Sequence, residues 1–327
     1  MKKLDFVIAW VDGSDENHRL KRQQFQPENV VKGAAEDTRF AHNDEIYFSI
    51  ASILKYVPYC GTIYIITDHQ QPSFVGEFEA QGLCRSGQIQ VVDHQEIFRN
   101  YQQYLPTFNS LSIESMLWNI KGISNHFIYL NDDFFFNQQS DLSDFLIDGQ
   151  MVIYGHWQAT LIKKMKYIFR KFLQQNFGMV DEAKYSTAQM LSADRVGMTR
   201  YYEIHHRPHI LSRDLLSTYF KNNKELLEQQ IQFKFRNIDQ LLPVGLSNHL
   251  AIQSDQAILK DDIDIAYLKD GRDLEKFILA LSNSEIKFGC IQSLDQLESL
   301  AEGRIRAALI QKFTGFLPSQ IQPTTVV

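Results

Sequence analysis

The chain has 327 residues, a formal net charge of −6, 44% hydrophobic residues and 12% aromatic residues. This composition is typical of a folded globular protein with a full core, and it excludes a low-complexity or disordered chain. The acidic balance argues against a nucleic-acid binder, so we expect local cations to hold any anionic substrate.

Cysteine usage and hydropathy indicate the compartment. Cys60, Cys84 and Cys290 are odd in number and widely spaced, which is typical of a reducing environment. The apolar run at residues 6–11 is too short for an export signal, and no segment has the length of a membrane span. We therefore expect a cytoplasmic protein, at most peripheral at the inner face of the cell membrane.

Several apolar runs predict strands, and most of them end in acids. The runs are Phe6–Val11, Thr62–Thr67, Ile89–Val92, Phe127–Leu130 and Met151–Tyr154, and the acids that follow the first four are Asp12, Asp68, Asp93 and Asp132–Asp133. Turn or helix-cap roles are the simpler explanation for Asp68 and Asp93. If the strands are parallel, their carboxyl ends share one edge of the sheet, where the acids can converge.

Two helices are predicted between these strands. Apolar residues at helical spacing indicate one from Ile46 to Val57, with Asn43 or Asp44 as its cap, and a second from Ser110 to Ile120. Strands that alternate with helices indicate an α/β fold with a Rossmann-like, mainly parallel twisted sheet.

Beyond about Gly155 the pattern changes. We expect an α/β core at residues 1–155 and mostly helical C-terminal additions at 156–327, or one continuous domain. Lys163–Phe172 is basic and partly amphipathic, which indicates either a solvated helix face or contact with an anionic polymer or lipid headgroups. Glu225–Arg236 is predicted helical, and Leu241–Gly245 is predicted to be a loop.

Asp132 and Asp133 are the strongest candidates for chemistry. They follow a strand and precede three phenylalanines, and two acids at the mouth of an apolar strand require water, a metal or a charged ligand to compensate them. The pair suggests a Mg²⁺-assisted phosphate site. A surface turn with two acids is the alternative.

Glu114 lies one position off the apolar stripe of the second predicted helix. With Ser110 as the cap, the capping-box position would be Ile113. Glu114 is then out of register for capping, which favours a functional role.

A histidine cluster and an arginine are further candidates. Residues 205–209 could bind zinc but lack a complete tetrahedral set, so a basic phosphate-facing cluster or a solvated loop is the simpler explanation. Arg236 could present its guanidinium fork to a phosphoryl group or pair with Asp239. No P-loop, dinucleotide-binding glycine turn or nucleophile elbow is present.

These segments together resemble a known family. Ile8–Asp15 resembles the first block of the Stealth proteins, sugar-1-phosphate transferases of bacterial capsule synthesis that are related to the animal enzyme that starts the mannose-6-phosphate tag. The second block is matched by Arg39–Phe40, Asn43–Glu45, Ile63–Asp68, Leu105–Ser110, Ile113–Glu114 and Tyr129–Asp133, and the third by His206–Pro208, Phe235–Arg236 and Asp239. Ala51 and Cys290–Ser293 depart from the family pattern.

The resemblance implies a glycosyltransferase-A-like fold, a nucleotide-sugar donor such as a UDP-hexosamine, Mg²⁺ or Mn²⁺, and a glycan acceptor such as an anionic phosphosugar polymer, with no nucleic-acid partner. It implies catalytic positions at Glu114, Asp133, His206 and Arg236. From the chemistry of phosphoryl transfer we expect Asp133, with Asp132, to hold the metal on the diphosphate. The resemblance also implies donor-side positions at Asp12, Gly13, Ser14, Asp15, Arg39, Asn43, Asp44 and Asn109.

Two other functions remain open from the residues. A metal-dependent glycosyltransferase would carry a similar strand-end acid pair but would form a glycosidic bond. A non-catalytic glycan-binding domain would release no nucleotide.

Overall fold

The computed structural model describes residues 3–26, 44–177, 184–292 and 294–321. Its central sheet has five strands, in the spatial order β10 (His209–Ser212), β4 (His126–Asn131), β1 (Leu4–Ala9), β2 (Cys60–Thr67) and β3 (Ile89–Asp93). The first four strands in the chain are mutually parallel, and β10 is antiparallel to β4. The predicted Rossmann-like, mainly parallel α/β sheet is confirmed.

The strand order places a ligand crevice. The chain runs from β1 outward through β2 and β3, and then returns to the other side of β1 with β4. Ligands of open α/β sheets bind beyond the carboxyl ends of the strands where the order reverses. That point lies between β1 and β4, whose ends are followed by Asp12 and by Asp132–Asp133.

Twelve helices accompany the sheets in the described part of the chain. They are α1 (Glu16–Phe25), α2 (Glu45–Tyr56), α3 (Glu77–Ala80), α4 (His94–Ile97), α5 (Ser110–Glu114), α6 (Thr160–Phe177), α7 (Tyr185–Arg195), α8 (Arg213–Asn222), α9 (Lys224–Ile231), α10 (Pro243–Gln253), α11 (Leu274–Ser282) and α12 (Ser299–Lys312). The first predicted helix corresponds to α2, but Asp44 has a φ of 65° and does not cap it with its side chain.

Three local predictions were wrong. The second helix ends at Glu114 and is followed by a 3₁₀ turn, and its cap is Asn109, which accepts a hydrogen bond from the Leu111 amide. Position N3 is then Ser112, so Glu114 remains out of register for a capping box, as predicted. Helix α9 stops at Ile231, and the predicted loop gives way to α10 at Pro243, a residue suited to the first helical turn.

The predicted helical C-terminal additions are confirmed as α6–α12, but short strands that the sequence did not predict lie among them. The smaller sheets are built from β5 (Phe134–Phe136), β6 (Leu146–Ile147), β7 (Gln150–Tyr154), β8 (His156–Ala159), β9 (Arg200–Glu203), β11 (Ala257–Lys260), β12 (Ala266–Leu268) and β13 (Phe288–Ile291). β10 joins the central sheet, β11 pairs with β7, and β13 pairs with β5. Because these pairs cross residue 155, we propose one continuous domain.

Close packing between β13 and β5 gives a stability prediction. A Cβ at Gly289 would lie 2.1 Å from Cζ of the Phe135 ring. We expect Gly289→Ala to lower the free energy of unfolding by about 2–3 kcal/mol because the core would be overpacked. The control is Gly303→Ala in α12, where a Cβ meets open space and helix propensity favours alanine by about 1 kcal/mol. Urea unfolding of both variants measures this, and equal stability of Gly289→Ala and wild type would contradict the packing.

Candidate functional site

Asp132 and Asp133 form the turn by which the chain leaves the central sheet. They follow β4 and precede β5, which belongs to a different sheet. The Asp133 carbonyl oxygen accepts a hydrogen bond from the Ile291 amide at 2.8 Å, and Cys290 Sγ lies 3.4 Å from Asp133 Oδ2. Asp133 Oδ1 is buried and has no hydrogen-bond partner among the described residues. One carboxylate oxygen is thus left for a ligand.

The electrostatics of this turn favour a cation. Burial, reinforced by the Asp133 carboxylate, raises the pKa of Asp132 to about 8. Burial also raises the pKa of Asp133 to about 7, and the Glu45 carboxylate at the start of α2 acts in the same direction. Glu45 was not predicted as a site residue, although it stands in the matched Asn43–Glu45 segment.

The donor set fits a hydrated Mg²⁺ or Mn²⁺. Magnesium is commonly held by one or two carboxylates together with substrate phosphates, rather than by a complete protein cage. Asp132 and the unpaired Oδ1 of Asp133 supply such a pair of carboxylates.

The Asp132–Asp133 turn forms one wall of the candidate site. Glu114 on α5 and Arg236 in the loop before α10 lie together and form the second wall. Glu114 is buried at the end of α5, and its Oε2 has no hydrogen-bond partner among the residues the structure describes. Burial raises the pKa of Glu114 to about 7, against the opposing effect of the Arg236 charge. Arg236 Nη2 donates to Ser110 Oγ at 2.7 Å. A basic group and an acid with a raised pKa therefore share this wall.

The alternative ion pair for Arg236 is not formed. Asp239 instead accepts from the Tyr167 hydroxyl at 2.6 Å and from Lys171 Nζ at 2.9 Å. This leaves the Arg236 guanidinium beside Glu114 rather than in a structural pair with Asp239.

Asn109 positions this wall. Its amide nitrogen lies 3.1 Å and 2.9 Å from the carbonyl oxygens of Phe233 and Phe235, and 2.8 Å from Gln240 Oε1. The side chain is fully buried. Its polar atoms are therefore engaged in holding the loop that carries Arg236 against α5, and a contact of Asn109 with a donor stays a prediction.

His206 completes the group through an aromatic stack. Its ring stacks on Tyr185 with centroids 4.7 Å apart and faces Tyr267 at 6.2 Å. Burial, with the neighbouring His205 and Arg236 charges, lowers the pKa of His206. The imidazole is then neutral near pH 7 and able to accept a proton.

Tyr185 links the two walls, and the sequence pattern did not single it out. Its ring stacks on His206, and burial, followed by the Glu114 carboxylate, raises the pKa of its hydroxyl. Arg236 acts on the pKa of both Glu114 and His206, and Asp133 acts on that of Tyr267. Glu114, Arg236 and His206 thus share one electrostatic environment, which borders the Asp132–Asp133 turn.

The predicted basic cluster at residues 205–209 does not form. His205 Nε2 lies 3.3 Å from Asp262, His209 is buried in β10, and the Arg207 guanidinium is buried over the Tyr154 ring at 4.6 Å. Arg207 is therefore a packing residue rather than a phosphate contact. His205 instead joins His156 and Asp262, whose ligand atoms all lie within 4.8 Å of one another.

The acids after β2 and β3 have structural partners. Asp68 pairs with Lys21 at 2.7 Å, and Asp93 caps α4 in a capping box. The cap role is thus confirmed for Asp93. With His69 these two acids form a second group that could hold a metal.

The predicted donor-side residues lie at the start of the chain and before α2. Asp12 Oδ1 accepts from the Ser14 amide at 2.9 Å and Asp15 caps α1, so Gly13 and Ser14 form the turn between them. Asp44 pairs with Arg306 at 2.9 Å. The pKa of Tyr47, raised mainly by burial, is raised further by both Asp44 and Asp12. Arg39 and Asn43 lie outside the described residues.

The fold and the site together define an α/β protein with an acidic site, suited to a cation, at the point where the strand order of the sheet reverses. Residues 39–153 match the family model described as Stealth protein CR2, conserved region 2. The predicted resemblance to the Stealth family is borne out by this match over residues 39–153.

Two relatives illustrate the similarity. A capsular polysaccharide phosphotransferase, cps1A of Actinobacillus pleuropneumoniae, is 39% identical over 145 residues, which cover 43% of this chain and 38% of the relative. The exopolysaccharide phosphotransferase SCO6023 of Streptomyces coelicolor is 29% identical over 266 residues, or 81% of this chain and 42% of the relative. The chain spans less than half the length of these curated relatives.

Among solved structures, the apo WbbM bifunctional glycosyltransferase superposes with a TM-score of 0.48 and 10% identity, and covers 99% of this chain and 52% of that one. Within the described residues, no helix combines the length and hydropathy needed to cross a bilayer.

Proposed function

We propose that the protein is a sugar-1-phosphate transferase of capsular or exopolysaccharide synthesis. It would transfer a hexosamine-1-phosphate from a UDP-sugar to a glycan hydroxyl and release UMP. The observation that carries this proposal is the arrangement beside the Asp132–Asp133 turn: Arg236 donates to Ser110 on α5, which also carries Glu114, and the His206 ring contacts Phe134 with centroids 6.2 Å apart. The relatives named as phosphotransferases support it.

The reaction requires one bond to form and one to break. The acceptor oxygen attacks the sugar-bound phosphorus, the bond from that phosphorus to the bridging oxygen breaks, and UMP leaves with the bond's electron pair. The acceptor proton passes to Glu114 or His206. Arg236 stabilises charge on the equatorial phosphoryl oxygens. Mg²⁺ or Mn²⁺ held by Asp132 and Asp133 would neutralise charge on the diphosphate.

The partners follow from this chemistry. We propose a nucleotide-sugar donor on the Asp12–Asp15 and Asp44 side, and an anionic phosphosugar polymer as the acceptor. We further propose that the protein works at the inner face of the cell membrane.

Phosphorus NMR tests the reaction directly. The protein is incubated with a UDP-sugar, an oligosaccharide and Mg²⁺, and a new phosphodiester resonance with UMP is expected. Release of UDP would instead show a glycosyltransferase, and no nucleotide product with any donor or metal would favour a glycan-binding domain.

The raised pKa of Glu114 gives a pH prediction. A base must be deprotonated, so if Glu114 takes the proton, kcat/KM rises with pH up to about 7 and levels off above it. If His206 is the base, the break lies below the ordinary 6.5, because its pKa is lowered. The measurement is the pH profile of kcat/KM at saturating Mg²⁺ for wild type and Glu114→Gln. A break near 7 that persists in Glu114→Gln would contradict assignment of the base to Glu114.

A further inference from the structure

Helix α6 presents its apolar side to solvent. Seven large hydrophobic side chains on it are between 52% and 69% exposed: Leu161, Ile162, Met165, Ile168, Phe169, Phe172 and Phe177. Helices of globular proteins normally turn such residues toward the core. We call these seven residues the α6 apolar face.

The polar side of α6 is the side that packs on the protein. Lys163 lies 3.6 Å from Glu203, Lys164 lies 2.5 Å from Asp194, and Lys171 lies 2.9 Å from Asp239. The acidic partners lie on β9, α7 and the loop before α10. Ion pairs to three separate elements therefore fix the rotation of α6 about its own axis. The outward direction of the apolar face is therefore set by the ion pairs on its opposite side.

The α6 apolar face is larger than a typical surface patch. With ~150–250 Å² for each large side chain and about three-fifths of it exposed, its area is on the order of 800 Å². The largest patch on a soluble monomer is usually about 300–600 Å². At 100° per residue, all but Phe177 fall within an arc of roughly 120° along a helix about 27 Å long. A continuous stripe of this size requires an apolar partner.

The charge of α6 indicates which partner. Residues 160–177 contain five lysines and arginines and no acid, in a chain whose net charge is −6. Lys166 is exposed at the margin of the apolar face. Two copies of this face would bring like charges together, whereas an anionic bilayer offers apolar depth and negative headgroups at once.

We propose that α6 docks the protein on an anionic lipid bilayer, with its apolar face in the acyl boundary and its axis parallel to the surface. The phenylalanines and isoleucines would enter about 5–10 Å, and Lys166 would reach back to the headgroups. Because Tyr167 and Lys171 hold Asp239, the docked helix is joined to the loop that carries Arg236. The inference rests on α6 alone and not on the proposed reaction.

Vesicle co-sedimentation of the full chain tests the proposal. We expect binding to vesicles of equal phosphatidylglycerol and phosphatidylcholine, and weaker binding to phosphatidylcholine alone or at high salt. Ile168→Glu/Phe172→Glu should reduce the partition coefficient about 100-fold or more, because two buried apolar side chains are replaced by acids. The matched control is Leu300→Glu in α12, a residue 79% exposed, which should bind like wild type.

Several outcomes would overturn the proposal. One is a wild type that stays in the supernatant with every vesicle, and another is a double variant that binds unchanged. Analytical ultracentrifugation adds a third: a wild-type dimer that the double variant dissociates, without vesicle binding, would assign the face to a second copy. Circular dichroism of the double variant, matched to wild type, shows that lost binding is not lost folding.

Discussion

Replacement of Asp133 by asparagine is expected to abolish turnover while leaving the protein folded. The amide keeps the size of the side chain but removes the charge that would hold Mg²⁺ on the diphosphate, so we expect kcat to fall by at least about 10³-fold. The fold should tolerate the change, because burial already disfavours the charged Asp133 carboxylate. Steady-state kinetics with the phosphodiester assay measures the loss. A kcat within a few-fold of wild type would exclude Asp133 from the mechanism.

Metal binding by the same variant gives a readout that does not depend on activity. Below about pH 7 to 8, protons compete with the metal for Asp132 and Asp133, so Mg²⁺ or Mn²⁺ should raise Tm more at pH 8.5 than at pH 6. Asp133→Asn should lose this shift. The matched control is Asp68→Asn, which belongs to the other metal-capable group at the same sheet edge. Loss of the shift in the Asp68 variant alone would place the metal there instead.

Replacement of Arg236 by lysine has the second large expected effect. Lysine keeps the charge but loses the planar fork, so one of two oxygens gaining charge in the transition state is left without a donor. Loss of such a donor typically costs about 10²–10³-fold in kcat. We expect a decrease of that size in kcat with a smaller change in KM, measured with purified folded protein.

Two further variants make the Arg236 result specific. Ser110→Ala removes the hydroxyl that receives Nη2 at 2.7 Å, and it should cost about tenfold because the fork is less well oriented. Arg213→Lys, on a surface pair with Asp214, should leave kcat unchanged. Wild-type kcat in Arg236→Lys would remove the guanidinium from the mechanism.

Much of the core was predictable from local pattern. The four parallel strands of the central sheet are apolar runs, and the helical spacing from Ile46 onward matches α2. Such elements follow from the burial of residues near one another in the chain. The acid pair after β4 was predictable in the same way, because two adjacent acids just after an apolar run indicate charges that a ligand must compensate.

The remaining parts depend on contacts between distant residues. β13 has four residues and pairs with β5, more than 150 positions earlier, so neither strand carries a strong pattern of its own. Tyr185 joins the site only because α7 brings it onto His206. The short α5 reflects a cap by Asn109, whose amide is tied to residues 233–240.

The orientation of α6 shows the same limit. Periodicity identified an amphipathic helix but could not say which side faces solvent, and a solvated basic face was the simpler expectation. Three of the four lysines of α6 proved to have acidic partners on three remote elements, and these pairs turn the polar side of the helix toward the protein.

Main-chain hydrogen bonds from β13 hold the turn at Asp132–Asp133 in place. They come from the pairing of β13 with β5 and from the Ile291 amide. Main-chain bonds of this kind do not depend on side-chain identity, so the pairing itself tolerates sequence change in residues 288–291, except at Gly289, where a Cβ would meet the Phe135 ring. A chimaera that takes this strand from a distant homologue and keeps the glycine would then be expected to retain the proposed metal site. A deletion of β13 would remove this support from Asp132 and Asp133, and we would then expect metal binding to be lost.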